Sequence, residues 1–247
     1  MRPALSLLFL FLLGCASLSL VAQVVKLQLS DTSASGSPIS ASGTVIVAES
    51  IESSPRCQAV SAARCSVVSE QNDITLRNVS DKPVVAFVSD FKGRTPSGNS
   101  FGMGYEAEMI FGGPLLAPDE TAPGPGSGGV EIRPETAEVK PTTPQAEFRI
   151  LFVQFADGTT FGDPEAGEHL LLARQKSLEA MARLDGIFSR HGEQAFVQAL
   201  QQTREGELSI FRQIEKQWGP AESVSRMRRA LSTAEQRLAA MTAQAGR

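Results

Sequence analysis

The sequence predicts an α+β protein, an antiparallel β-sandwich over residues 23–163 followed by a C-terminal bundle of about three α-helices over residues 164–247. Three observations carry this expectation. Short runs with apolar residues at every second position recur from residue 23 to residue 161, separated by clusters of Gly, Pro, Ser and Asp. Two segments, 73–91 (DITLRNVSDKPVVAFVSDF) and 147–161 (EFRILFVQFADGTTF), are apolar enough to be core strands that pack together. At Asp163-Pro164 the apolar spacing changes to three-four and stays there.

The strands follow in order. Val25, Leu27 and Leu29 alternate with Lys26 and Gln28, the pattern of a half-buried strand, and the Ser/Gly/Pro-rich stretch 31–43 is a loop. Residues 44–48 (TVIVA) form a second strand, and 52–64 is either loop or short helix. In 73–91, Ile74, Leu76 and Asn78 share one face, NVSDKP supplies the turn, and Pro83 opens the next strand, where a missing N–H is tolerated. Residues 84–88 (VVAFV) are apolar on both faces, which predicts a central strand covered on both sides. FGMGY at 101–105 continues with period two through Ala107, Met109 and Phe111. PLLAPDET at 114–121 is a short strand and turn, APGPGSGG at 122–129 a hairpin tip or linker, and 130–133 alternates again. Asp157-Gly158 is a hairpin turn signal behind the longest apolar run, 148–155.

For the helices, Asp163 is a good N-cap, Pro164 a good first helical residue, and Glu165 suits the first turn. Leu170, Ala173, Ala180, Met181, Leu184, Ile187 and Phe188 form an apolar face, and Arg190-His191-Gly192 is a stop. A second helix carries Phe196, Leu200, Thr203, Glu207, Phe211, Ile214 and Trp218, with Gly206 weakening it and Gly219-Pro220 ending it. The third places Val224, Met227, Leu231, Ala234, Leu238 and Met241 on one stripe. That stripe is expected to pack within the chain; the alternative is a protein partner or self-association through the C-terminal helices.

Composition bounds the function. At 42% apolar and 20% charged the chain is globular, and a net charge of −4 with a pI near 5.4 gives no electrostatic case for nucleic acid. Residues 23–163 hold 10 basic and 17 acidic side chains, net −7, against 12 and 10 from residue 164 onward, net +2, a mild asymmetry that identifies no partner and is compatible with the helices lying against the strands. Residues 1–22 read as a signal peptide: Arg2, the apolar run LSLLFLFLL at 5–13, and a cleavage site after Ala22. Leu12-Leu13-Gly14-Cys15 resembles a bacterial lipobox, which makes Cys15 a lipidation candidate. Both routes are open, and both imply export to the periplasm or outside, with membrane attachment only through the leader or a lipid on Cys15. Export agrees with Cys57 and Cys65, an isolated pair eight positions apart that reads as a local disulfide.

Chemical constellations are sparse, and no catalytic, metal or cofactor residue is assigned. His169 stands near Glu165 and Glu168 on a helix, and the solvated-face reading is preferred to a metal pair. DGTTFGDPEAGE at 157–168 has the glycine and glutamate of a calcium loop, but Thr159 and Phe161 stand where oxygen ligands belong, so hairpin plus helix cap is the better reading. Asn78-Val79-Ser80 matches a glycosylation sequon and is read as turn chemistry. There is no G-x-S-x-G, and the glycine-rich stretches lack the ending of a phosphate loop. Arg226, Arg228, Arg229 and Arg237 give the last helix a basic side, read as solvated.

The strand-turn-strand of 73–88 and the PLLAPDET segment resemble immunoglobulin-like β-sandwich domains of exported bacterial proteins. The resemblance implies a scaffold rather than an activity. The expected function is accordingly a non-enzymatic binding or structural role at the bacterial cell envelope. The alternative is a small exported hydrolase with a site assembled from scattered carboxylates or serines.

Overall fold

The alternation of Val25, Leu27 and Leu29 forms strand β1 (Gln23–Asp31), and this strand changes partners half-way along. From Gln23 to Gln28 it runs antiparallel to β2 (Ile39–Glu52); from Leu29 to Asp31 it runs parallel to β8 (Gln145–Phe155). The computed structural model describes residues 23–109, 113–126, 130–134, 142–203 and 208–245. The expectations for the leader with Ala22 and Cys15, for Phe111, for most of the 136–145 connection and for Gly206 fall outside these.

On one side of β1, β2 forms a long hairpin with β3 (Cys65–Asn78), joined through a 3₁₀ turn at Pro55–Val60. Short strands β6 (Thr121–Pro123) and β7 (Val130–Pro134) lie along β3. On the other side, β8 pairs with β4 (Val84–Arg94), which pairs with β5 (Ser100–Glu108), while β9 (Thr160–Gly162) returns along β8 through the expected turn at Gly158. The result is one mixed sheet in the order β5-β4-β8-β1-β2-β3-β6, which corrects the expectation of a purely antiparallel arrangement. The reason is connectivity. Antiparallel neighbours can be joined by a tight turn, whereas β1 and β8 meet only after the chain has laid down every strand between them, and such a return can run in either direction.

The sheet curls so that its two halves face one core. Val45, Val47, Ile74 and Leu76 from the β2–β3 side meet Phe87, Phe91, Phe148 and Val153 from the β4–β8 side. Phe91 and Phe148 are direct cross-strand partners and are fully buried; burying a side chain of that size contributes about 2–3 kcal/mol. Of the two strands in 73–91, β4 is therefore a hydrogen-bonded neighbour of β8, whereas 73–78 belongs to β3 on the other half of the sheet. In β2, the φ of 142° at Gly43 and its lack of Cβ let the Asp73 carbonyl approach; an added Cβ would stand 2.0 Å from that oxygen.

The helices cover the outer face of β4 and β8. α1 (Pro164–Gln202) starts as expected, with Pro164 in its first turn and the Asp163 carboxylate accepting from Glu165 N–H at 2.9 Å. Its Leu170 packs on Ala86, Val88 and Phe152. β4 is thus covered on both faces, by the opposite half-sheet and by α1, as its doubly apolar sequence requires. α1 kinks at Gly192 (φ 76°), where the stop signal stands, and then continues to Gln202. The expected single second helix from Phe196 to Trp218 is corrected: its first part belongs to α1, which is capped at Thr203, and α2 (Ser209–Trp218) begins afresh. α3 (Pro220–Ala245) follows, and its Val224, Met227 and Ala230 join Leu184, Phe196, Leu200 and Phe211 in a second core. Among the described residues no helix is long and apolar enough to cross a membrane.

Candidate functional site

Where the helices meet the sheet, four polar side chains are taken out of water. Gln154 interrupts the apolar run of β8 on the face toward α1 and is fully buried. Arg174 stands one helical turn beyond Leu170, so the turn that docks on Phe152 also carries its guanidinium over Gln154. Glu108 ends β5, and Arg237 reaches in from α3.

The contacts form a chain. Arg174 Nη2 donates to Gln154 Oε1 at 3.0 Å, and Arg174 Nε lies 2.9 Å from Glu108 Oε1. Arg237 Nη1 lies 3.3 Å from the same Glu108 oxygen and also donates to the Met109 carbonyl, while Arg237 Nη2 donates to the Gly113 carbonyl at 3.3 Å. Only 1% of the Arg174 side chain is exposed. Burial lowers the Arg174 pKa, the charge of Glu108 opposes that shift, and nearby Arg237 adds to it. One carboxylate thus holds two guanidiniums. Gln154 Nε2 is buried and has no hydrogen-bond partner among the described residues.

Clefts open on both sides of this chain. One, of about 330 Å³, is bounded by Pro83, Val85, Pro114 and Phe155 of the sheet side and by Thr233, Gln236 and Ala240 of α3, with Gln154 and Arg237 in its wall. The other, of about 320 Å³, lies between Glu106, Glu108, Leu170, Arg174 and Met181 and the Ile210–Ala234 side of the bundle. In the first cleft the polar side chains of Gln154, Thr233, Gln236 and Arg237 are set in an apolar bed.

The residues singled out in the sequence lie elsewhere. Cys57 and Cys65 are bonded, with Cα atoms 5.3 Å apart, and pack on Val67 beneath the 3₁₀ turn. His169 is an exposed residue whose Nδ1 is 3.5 Å from Glu106. Asp157 accepts from Thr159 and pairs with Lys82 at 2.7 Å, and Asp163 caps α1, so these two carboxylates of the 157–168 segment have structural work. Asn78 is buried with its amide donating to the Lys82 and Leu116 carbonyls, which supports turn chemistry for the sequon. Arg226 pairs with Glu222 and lies over the Trp218 ring, and Arg228 pairs with Asp185. Arg237, expected on a solvated face, is the one that is buried.

No family model, curated protein or solved structure matches the chain. The site therefore rests on its own geometry. The sequence alone does not single out Glu108, Gln154 and Arg174. One signal was present: Gln154 is a polar residue inside the run LFVQF, on the same face as Phe152.

Proposed function

We propose that the chain is an exported binding protein of the bacterial cell envelope, whose ligand enters the cleft between β8 and α3. The ligand is a small molecule with an apolar body and an oxygen-acceptor head, a carboxylate above all. The observation that carries this is Gln154 Nε2, a buried donor with no acceptor among the described residues, in the wall that also holds Arg237. Leaving such a group unpaired costs about 1–3 kcal/mol, and an acceptor on a ligand would offset that. A volume near 330 Å³ suits a small ligand.

Export is supported by the leader composition and by the Cys57–Cys65 bond, which belongs in an oxidising compartment. The immunoglobulin-like reading of the sheet draws support from its two facing halves and from the strand that serves both. A protein partner at the envelope would find exposed apolar surface at Trp218 and Leu172 of the helical region.

The ligand is tested by thermal unfolding against a series of alkyl and aryl carboxylates and the matching amines. Carboxylates are expected to raise Tm in the wild type and to lose their effect in Arg237→Met and Gln154→Met. Equal stabilisation by amines, or full response in both variants, would sink the proposal. Mass spectrometry of the mature N-terminus tests export and separates cleavage after Ala22 from lipidation at Cys15.

A further inference from the structure

Away from the helices, the curled sheet ends in two edges that face each other. Among the described residues β5 pairs only with β4, and β7 only with β3. Two depressions lie between these edges, and each touches both strands. One, of about 190 Å³, is lined by Val68, Glu70, Phe101, Met103 and Val130. The other, of about 340 Å³, is lined by Lys92, Gly102, Gly104, Glu131 and Arg133. One end of this seam is pinned. Glu49 Oε1 on β2 accepts from Ser66 Oγ of β3 at 3.0 Å, and from Ser97 Oγ and Asn99 Nδ2 of the β4–β5 turn. Side chains of the fold itself thus hold the two edges in position.

The β5 edge carries unspent backbone groups. Thr95 N–H donates to the Asn99 carbonyl at 2.8 Å and Met109 N–H to the Val85 carbonyl at 3.2 Å, both in register with the β4–β5 ladder. Backbone groups alternate along an antiparallel strand, so the odd-numbered residues of β5 bond to β4. Ser100, Gly102 and Gly104 turn their N–H and C=O to the seam. Edges of this kind are ordinarily blunted by lysine or proline, and β5 has neither. Gly104 is a second, independent sign. Its φ is not left-handed and an added Cβ would meet nothing within 4 Å, so neither strain nor internal packing calls for glycine there. A glycine so placed in a strand admits another backbone at close range. Phe101 and Met103, alternating with the glycines, face the core side and offer apolar contact. The net charge of −7 over residues 23–163 favours a basic occupant.

We propose that the seam between β5 and β7 takes up an extended segment of a partner protein as an added strand, with apolar residues alternating with lysine or arginine. Its apolar side chains lie beside Val68, Phe101 and Met103, and its basic ones on the outer side, where Asp90 and Glu106 stand. The test uses the full mature chain and a fluorescein-labelled synthetic nonapeptide in which valine alternates with lysine. Anisotropy is expected to show saturable binding, and amide exchange to show protection at Gly102 and Gly104. N-methylation of every second residue of the peptide removes one edge of donors and keeps the charge; it is expected to abolish binding. Glutamate in place of lysine is expected to weaken binding about tenfold. Gly104→Pro removes one seam N–H, leaves the β4 ladder intact, and is expected to weaken binding about fivefold, the worth of one hydrogen bond. No binding by the valine-lysine peptide, equal binding by either altered peptide, or unchanged exchange at Gly104 would overturn the proposal. If Gly104→Pro does not fold, the N-methylated peptide still decides. Dimerisation of the wild type without peptide, with the same amides protected, would also overturn it and assign the seam to a second copy of the chain.

Discussion

Glu108 shows how much one side chain can hold. Its carboxylate faces Arg174 and Arg237 from two different helices, and removing it leaves two largely buried guanidiniums competing for backbone oxygens. Glu108→Ala is therefore expected to cost about 3 kcal/mol or more in urea unfolding, because breaking a buried pair strands the surviving charge. Arg77→Ala, which breaks an exposed pair with Asp119, should cost well under about 1 kcal/mol. Acid sensitivity is set by different residues. The hydrogen bond from Lys82, with those from Thr159, lowers the Asp157 pKa from its ordinary 3.8 to about 2. A depressed folded-state pKa gives stability that is present above 3.8 and is lost as pH falls toward 2. Glu49 acts with the same sign below its ordinary 4.5. Unfolding curves across this range should show stability dropping on acidification, with a shallower drop in Asp157→Asn.

Among the elements, α1 depends on a close approach. Gly167 sits against Phe152, and a Cβ there would stand 2.6 Å from the ring. Gly167→Ala should raise helix propensity and still destabilise the protein, by about 1–3 kcal/mol, because the ring is held within the sheet-helix contact and must shift. A more stable Gly167→Ala in thermal unfolding would show that the contact is looser than the geometry indicates. The elements were legible in the sequence where local chemistry decides them. Asp163-Pro164 starts α1, Asp157-Gly158 turns the β8–β9 hairpin, and Gly192 marks the kink. The apolar stripe of α3 reads the same as a zipper or as core; only packing shows that Val224, Met227 and Ala230 lie on α1 and α2. The break before α2 was hidden because Phe196, Leu200, Phe211 and Ile214 keep helical spacing across it and share one core.

At the scale of the molecule, the helical region covers an apolar surface that the sheet cannot cover itself. Ala86, Val88 and Phe152 are buried only because α1 lies on them. A chain ending at Asp163 should expose that patch, bind a hydrophobic dye and self-associate, whereas the full chain should do neither. A monomeric, dye-negative truncation would mean that the sheet closes by other means. The sequence by itself determined the class of this protein, because period, caps and turn residues act over a few positions: strands first, helices after residue 163, and a disulfide between neighbouring cysteines. Tertiary structure decided which strands are neighbours, that β1 and β8 run parallel, and that Glu108, Gln154, Arg174 and Arg237 meet. Those residues are far apart in the chain, and nothing local distinguishes a buried arginine on a helix from a solvated one. Their burial follows from where α1 and α3 come to rest on the sheet, which only the summed packing of both cores fixes.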